Sequence, residues 1–263
     1  MKFSEKLRAA SQANNSLICV GLDPSLTQTP VERIATFNQA IIEATQDLVC
    51  AYKPNLAFYE AWGPAGLEAL SQTLAFVPSH IPVIADAKRN DIGNTAEAYA
   101  RAIFEALGFD AVTVNPYLGH DSLEPFLSYA DKGVFVLCRT SNPGAADFQS
   151  LVCDGKPLYR VVADRVEAWN KHGNLGLVVG ATQPDELKAI REAHPTLPLL
   201  IPGVGAQGGS LELAVKYGHT ENGLAVINAS RQVLYALSGP DFAAAARSAA
   251  LSLRDEMNRY LAE

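Results

Sequence analysis

The sequence has no excess of positive charge: 21 lysines and arginines are outnumbered by 28 aspartates and glutamates, for a formal net charge of −7. That balance excludes the cationic footprint of a general nucleic-acid or membrane-surface binder, so neither partner is expected. An anionic substrate would need a local cationic pocket. No apolar run is long enough to cross a bilayer. Residues 1–16 carry Lys2, Glu5, Lys6 and Arg8 where an export signal would have its apolar core, so a cytoplasmic location is expected. Cysteine is scarce. Cys19, Cys50, Cys138 and Cys153 form no C-x-x-C pair, and the first three lie in or beside apolar runs, where a thiol acts as a small core hydrophobe. Neither a disulfide nor a metal role is expected of them, in keeping with a reducing compartment. His120 beside Asp121 has no second histidine at ligand spacing, which argues against a metal site, and His80, His172, His194 and His219 read as surface residues. There is no G-x-S-x-G nucleophile elbow.

What the chain does contain is a repeated alternation of short apolar runs and helical patterns. Residues 17–22, 48–52, 81–86, 111–114, 134–138, 175–179, 199–201 and 224–227 read as strands. Helical patterns at 31–47, 58–76, 92–107, 158–171, 184–193, 211–217 and 240–261 alternate with them, together with one that starts near 121 with Asp121 or Ser122 as its cap. Residues 144–156 look like a loop, and Gly108 marks a helix stop. Eight strand-helix units without a composition break predict a single α/β domain over residues 1–263, closed as a TIM (β/α)8 barrel. A doubly wound open sheet is the alternative that the first five strands leave open. The polar residues favour the barrel: Asp23, Lys53, Asp86, Lys88, Asn115, Ser141 and Arg231 fall at or just past strand C-terminal ends, the face where barrel enzymes keep their chemistry.

The stretch around which the rest is organised is IADAKRNDIGNTA, residues 84–96, where Asp86, Lys88, Arg89 and Asp91 directly follow an apolar strand. Residues two apart on a strand share a face, so Asp86 and Lys88 should point into one cavity, with Asp91 near the start of the next helix. In a barrel the second and third strands are neighbours, which brings Lys53 to the same rim. Two buried amines would then alternate with two carboxylates. Unit charges about 4 Å apart interact by roughly 4 kcal/mol at an effective dielectric near 20, enough for each group to hold its neighbours ionised. Protonated lysines suit a proton donor and not a Schiff-base nucleophile. On spacing alone, a strand-end ion pair plus an Asp cap also fits this segment.

A second group has the composition of a phosphate site. Gly203, Gly205, Gly208 and Gly209 follow the seventh strand and Ser230-Arg231 follows the eighth, in the loops where many barrels bind phosphate. Glycines let backbone N–H groups approach the oxygens, and Arg231 supplies a charged fork.

With these residues in view, the sequence resembles the orotidine 5'-phosphate decarboxylase family. The resemblance rests on D-x-K-x-x-D from Asp86 to Asp91 with Ile92-Gly93-Asn94-Thr95 behind it, LDP at Asp23, YKPN at Lys53, SNPG at Ser141, PGVGAQGG from Pro202 to Gly209, and Ser230-Arg231. NPYLGHDSLEPF from Asn115 resembles the longer bacterial subgroup. D-x-K-x-x-D is shared with keto-gulonate phosphate decarboxylases, so the other motifs discriminate. The resemblance implies cofactor-independent, metal-free decarboxylation of orotidine 5'-phosphate to UMP, the last step of de novo pyrimidine synthesis. It implies a catalytic tetrad of Lys53, Asp86, Lys88 and Asp91, with Lys88 as proton donor. It further implies a homodimer in which Asp91 and Thr95 reach the site across the interface. Asp23 would contact the ribose, Ser141 the pyrimidine, and Gln207 and Arg231 the phosphate, with Pro202 and Ser230 as further substrate-binding positions. A metal-dependent sugar-phosphate decarboxylase on the same barrel, a non-catalytic phosphate sensor and a Schiff-base aldolase are the competing readings.

Overall fold

β-branched and small apolar side chains fill the expected strand segments, and in the computed structural model, which describes residues 1–205 and 208–263, each segment becomes a parallel strand. The strands are β1 (Ile18–Gly21), β2 (Ala51–Lys53), β3 (Ile84–Arg89), β4 (Ala111–Val114), β5 (Gly133–Arg139), β6 (Leu175–Val179), β7 (Leu199–Ile201) and β8 (Ala225–Ala229). Hydrogen bonding runs in the order β2, β1, β8, β7, β6, β5, β4, β3. Backbone bridges Tyr52–Val83 and Asn55–Asp86 then join β2 to β3, with Asp86 N donating to Pro54 O at 3.0 Å and Leu56 N to Asp86 O at 3.2 Å. The sheet therefore closes on itself as a (β/α)8 barrel, which rules out the open doubly wound alternative.

The helices are α1 (Phe3–Asn14), α2 (Val31–Thr45), α3 (Ala57–Glu60), α4 (Gly63–Phe76), α5 (Gly93–Arg101), α6 (His120–Leu127), α7 (Leu158–Trp169), α8 (Pro184–Ala193), α9 (Leu211–Gly218), α10 (Arg231–Leu234) and α11 (Phe242–Ala262). Both α1 and α10 escaped the sequence reading. In α1 the residues Phe3, Leu7 and Ala10 repeat at helical spacing and are buried. The helix closes the N-terminal mouth of the barrel: Phe3 meets Phe135 edge-on at 5.8 Å, and a Cβ on Gly133 would lie 2.3 Å from the Phe3 ring, so only glycine fits there.

Other expectations shift for local reasons. Strand β3 starts and ends three residues later than 81–86, because its backbone goes on pairing after the apolar signal has given way to charge. The helix expected to reach residue 107 leaves α geometry after Arg101 and finishes as a π turn, Ala102–Ala106, with Gly108 at φ +74° ending it as expected. Neither Asp121 nor Ser122 caps α6. Gly119 occupies that position at φ +89°, and the Ser122 hydroxyl donates to Gly119 O at 2.6 Å. Residues 144–156 are not bare loop: a 3₁₀ turn, Pro143–Asp147, precedes a small hairpin of Val152–Cys153 with Lys156–Pro157.

The expectation that His194 is a surface residue is wrong. It is buried, with Nδ1 2.9 Å from Glu167 Oε2 and Nε2 3.3 Å from Asp164 Oδ1, which ties the end of α8 to α7. Cys19, Cys50 and Cys138, expected to act as small core hydrophobes, are buried, and Cys153 is exposed. Burial pushes the thiols of Cys19 and Cys138 up to about 12, so they stay protonated and inert.

Candidate functional site

Barrel closure sets β1, β2, β3 and β8 side by side, and their C-terminal ends line a cavity of about 1080 Å³. Lys53, the last residue of β2, is 3% exposed, and its Nζ lies 2.9 Å from Asp86 Oδ2. Lys88 Nζ approaches the other oxygen of the same carboxylate, Oδ1, at 2.5 Å. The Thr113 hydroxyl, from β4, donates to Oδ1 as well, at 3.1 Å. Asp86 is thus a carboxylate gripped by two ammonium groups and a hydroxyl on the wall of the cavity.

The electrostatics follow from these contacts. Burial disfavours charge on Lys53, but Asp86 and then Asp23 outweigh it, and the lysine lies above its ordinary value. Burial likewise opposes ionisation of Asp86, and the two lysines overcome it, holding the carboxyl well below the usual range. Both groups are charged at neutral pH. The expectation of two buried lysines is half right, since the Lys88 side chain is 48% exposed.

The convergence of Asp86 and Lys88 does not come from plain strand alternation. Pairing between β3 and β4 runs Ala85 with Val112 and then Arg89 with Val114, so the stretch between them is a bulge. Lys88 sits within it at φ +48°, a left-handed backbone that few non-glycine residues adopt.

Asp23 and Ser230 meet at the β1–β8 junction. The Ser230 hydroxyl donates to Asp23 Oδ2 at 2.7 Å, and Asn55 N donates to Oδ1 at 2.9 Å. Gly21 is required between them, because a Cβ there would fall 2.0 Å from Ser230 Oγ. Asp23, Ser141, Pro202, Ser230 and Arg231 all line the cavity with Lys53, Asp86 and Lys88. Gln207 lies outside the described residues. Arg231 is exposed at the start of α10, near Gly203.

Within one chain, Asp91 and Thr95 do not join this set. The cavity wall includes neither, and Asp91 Oδ1 instead accepts from Ile92 N at 2.8 Å. The structure adds Asn55, Thr113, Gln149, Asn228 and Tyr235 to the wall. Asn55, directly behind Lys53-Pro54, carried a usable signal as a polar residue at a strand end. Thr113 did not, being enclosed in the apolar run AVTV. Among the described residues, no group of three or more His, Cys, Asp or Glu side chains could hold a metal ion.

A closed (β/α)8 barrel whose C-terminal mouth holds a Lys53–Asp86–Lys88 cluster on the wall of a cavity defines the protein as a barrel enzyme. Residues 16–248 match the model of the orotidine 5'-phosphate decarboxylase / HUMPS family, and the chain belongs to that family. It is 56% identical to an orotidine 5'-phosphate decarboxylase of Dehalococcoides mccartyi, over 99% of this chain and 98% of that one. It is 54% identical to that of Thermomicrobium roseum, over 100% and 97%. Among solved structures, an OMP decarboxylase of Leishmania donovani superposes with a TM-score of 0.90 at 43% identity, covering 99% of each chain.

Proposed function

We propose that this chain decarboxylates orotidine 5'-phosphate to UMP without a cofactor, as a carboxy-lyase at the end of de novo pyrimidine biosynthesis. The observation that carries the mechanism is the Asp86 carboxylate held between Lys53 and Lys88 on the wall of the cavity. Breaking the bond from the ring carbon to the carboxylate releases CO₂ and leaves an electron pair on that carbon with no electron sink to receive it. The site must therefore stabilise the carbanion through fixed charge and protonate it. Lys88 is the proton donor. Its half exposure lets the ammonium reach the ring carbon, while Asp86 holds it in place. The proton passes to the carbon, and the neutral amine regains one from water.

Asp86 crowds the substrate carboxylate, and binding of the remote phosphate offsets that cost. Arg231 and the Pro202–Gly203 backbone supply the phosphate site, with Gln207 as an additional donor. Among the described residues the Arg231 guanidinium has no hydrogen-bond or ion-pair partner, which suits an anion site. Asp23, oriented by Ser230 and the Asn55 N–H, takes the ribose. Ser141 takes the pyrimidine.

The displaced positions of Asp91 and Thr95 support a homodimer. They flank Ile92, which is 58% exposed, on a top face that also presents Tyr117 and Phe148, 79% and 60% exposed. Tyr117 and Phe148 pack edge-to-face at 6.5 Å. A second copy covering this apolar surface would place each chain's Asp91 and Thr95 at the other's cavity. No helix among the described residues is long and apolar enough to cross a membrane, which agrees with a cytoplasmic enzyme.

The test is the ultraviolet absorbance of orotidine 5'-phosphate incubated with purified protein in chelator and no added cofactor. Rapid loss of signal is the expected result. Undiminished absorbance, with the protein folded and dimeric, would overturn the reading in favour of a metal-dependent sugar-phosphate decarboxylase.

A further inference from the structure

The bulge in β3 has to be held open by something. Between the pairs Ala85–Val112 and Arg89–Val114, β3 advances four residues while β4 advances two, so Thr113 alone faces Asp86, Ala87 and Lys88. At such a point the backbone loses ladder partners, and a buried N–H left without a partner bears its full desolvation penalty. Here both orphaned donors go to one atom: the N–H groups of Ala87 and Lys88 each reach Thr113 Oγ1 at 3.0 Å. A hydroxyl has two acceptor lone pairs and one proton. With both lone pairs engaged, the proton can only point away from the backbone, and Asp86 Oδ1 lies in that direction at 3.1 Å. The Thr113 side chain, 1% exposed, is therefore saturated and locked.

The backbone it clamps is an unusual one. Besides glycine, only Asn15, Lys88 and Asp154 have positive φ among the described residues. Asn and Asp tolerate that region through local hydrogen bonds of their own side chains, whereas lysine has no such compensation. A left-handed lysine persists only where its surroundings over-determine it. The same turn swings the Lys88 side chain back onto Asp86 at 2.5 Å.

We infer that Thr113 is a positioning residue: its buried hydroxyl fixes the left-handed turn at Lys88 and so aims the ammonium at the reacting carbon. The inference rests on the reading of Lys88 as proton donor. Thr113 touches no substrate atom in this account and carries no charge of its own. It acts on the geometry of proton transfer, and its loss should appear in kcat and spare the phosphate and ribose contacts that set KM.

The experiment compares wild type, Thr113→Val and Thr113→Ser by steady-state decarboxylation of orotidine 5'-phosphate, with thermal melting and UMP binding on the same preparations. Valine keeps the shape and removes the hydroxyl; serine keeps the hydroxyl and removes the methyl. Thr113→Val should lose about 10- to 100-fold in kcat, with KM and the UMP dissociation constant within about threefold of wild type. Thr113→Ser should restore kcat to within about threefold. If Thr113→Val does not fold, Thr113→Cys takes its place, since a thiol is a weak acceptor and donor of similar shape to serine, and the same drop is expected. A kcat within about threefold of wild type for the hydroxyl-free variant would overturn the inference, as would a serine variant no faster than valine. The failure of the functional reading looks different: the wild type itself would then not turn over, and the inference would fall with it.

Discussion

The two mouths of the barrel each bury a cation, and they treat it in opposite ways. At the N-terminal mouth, Arg191 is 4% exposed and, among the described residues, has no carboxylate partner. Its guanidinium donates to the carbonyls of Gly218, His194 and Leu197 at 2.7–3.1 Å, stapling α8 and α9 to the loops beneath β7. Burial alone lowers it to about 10. At the C-terminal mouth, Lys53 is 3% exposed, yet Asp86 and Asp23 outweigh its burial and raise it. The arginine satisfies backbone acceptors and ends its network there. The lysine belongs to a network that remains open at one end, where half-exposed Lys88 faces the cavity. The proposed proton transfer from Lys88 requires that opening, and a bulge with a left-handed lysine provides it.

This contrast can be broken experimentally, and the largest effect belongs to the open end. Lys88→Ala should lower kcat by more than about 10³-fold, while circular-dichroism melting stays close to wild type because the side chain is half-exposed. Near-normal turnover would remove Lys88 from the proposed chemistry.

The closed end should show the reverse pattern. Arg191→Met leaves several buried carbonyls without donors and should cost about 3 kcal/mol in urea unfolding, with kcat per folded molecule unchanged. A slower enzyme of undiminished stability would mean that the two mouths are not separable as drawn.

The smallest effect is a pH dependence that only the upper network should possess. Asp86 is held below the ordinary carboxylate value, so between its folded value and about pH 4 the unfolded chain binds more protons than the native state. Its contribution is complete above about pH 4 and fades as the pH falls toward the folded value. The stability gap between wild type and Asp86→Asn, about 2 kcal/mol at neutral pH from weakened charged hydrogen bonds, should therefore narrow as urea unfolding is repeated from pH 5 to about pH 3. The Arg191→Met penalty should stay flat over that range, since its guanidinium is charged in both states there. A narrowing for Arg191→Met, or none for Asp86→Asn, would collapse the distinction.

Where the sequence was readable, the signal was local. The runs at 111–114, 175–179 and 199–201 match β4, β6 and β7 residue for residue, because a buried parallel strand is a short apolar run and nothing more is needed to see it. Strand β3 runs past its apolar signal because its last residues are charged while their backbone still pairs. Helix α1 is hard to see in the sequence because four charges at its start obscure the Phe3, Leu7, Ala10 stripe. Arg191 and His194 drew no correct reading, since a buried polar residue is recognisable only once its partners are known.

By itself, the sequence determined the eight strand-helix units, the strand-end position of the polar residues, and the motifs that tie the chain to its family. Those depend on periodicity and on the identity of neighbours within a few positions. The tertiary structure decided everything that depends on residues far apart in the chain: the closure of β2 on β3 that joins Lys53 to Asp86, the pairing of Asp23 with Ser230 across 207 residues, and the use of Thr113 as the clamp of a bulge 25 residues away. Hydrogen bonds and ion pairs act over about 3 Å of space, and only the folded chain converts sequence separation into that distance.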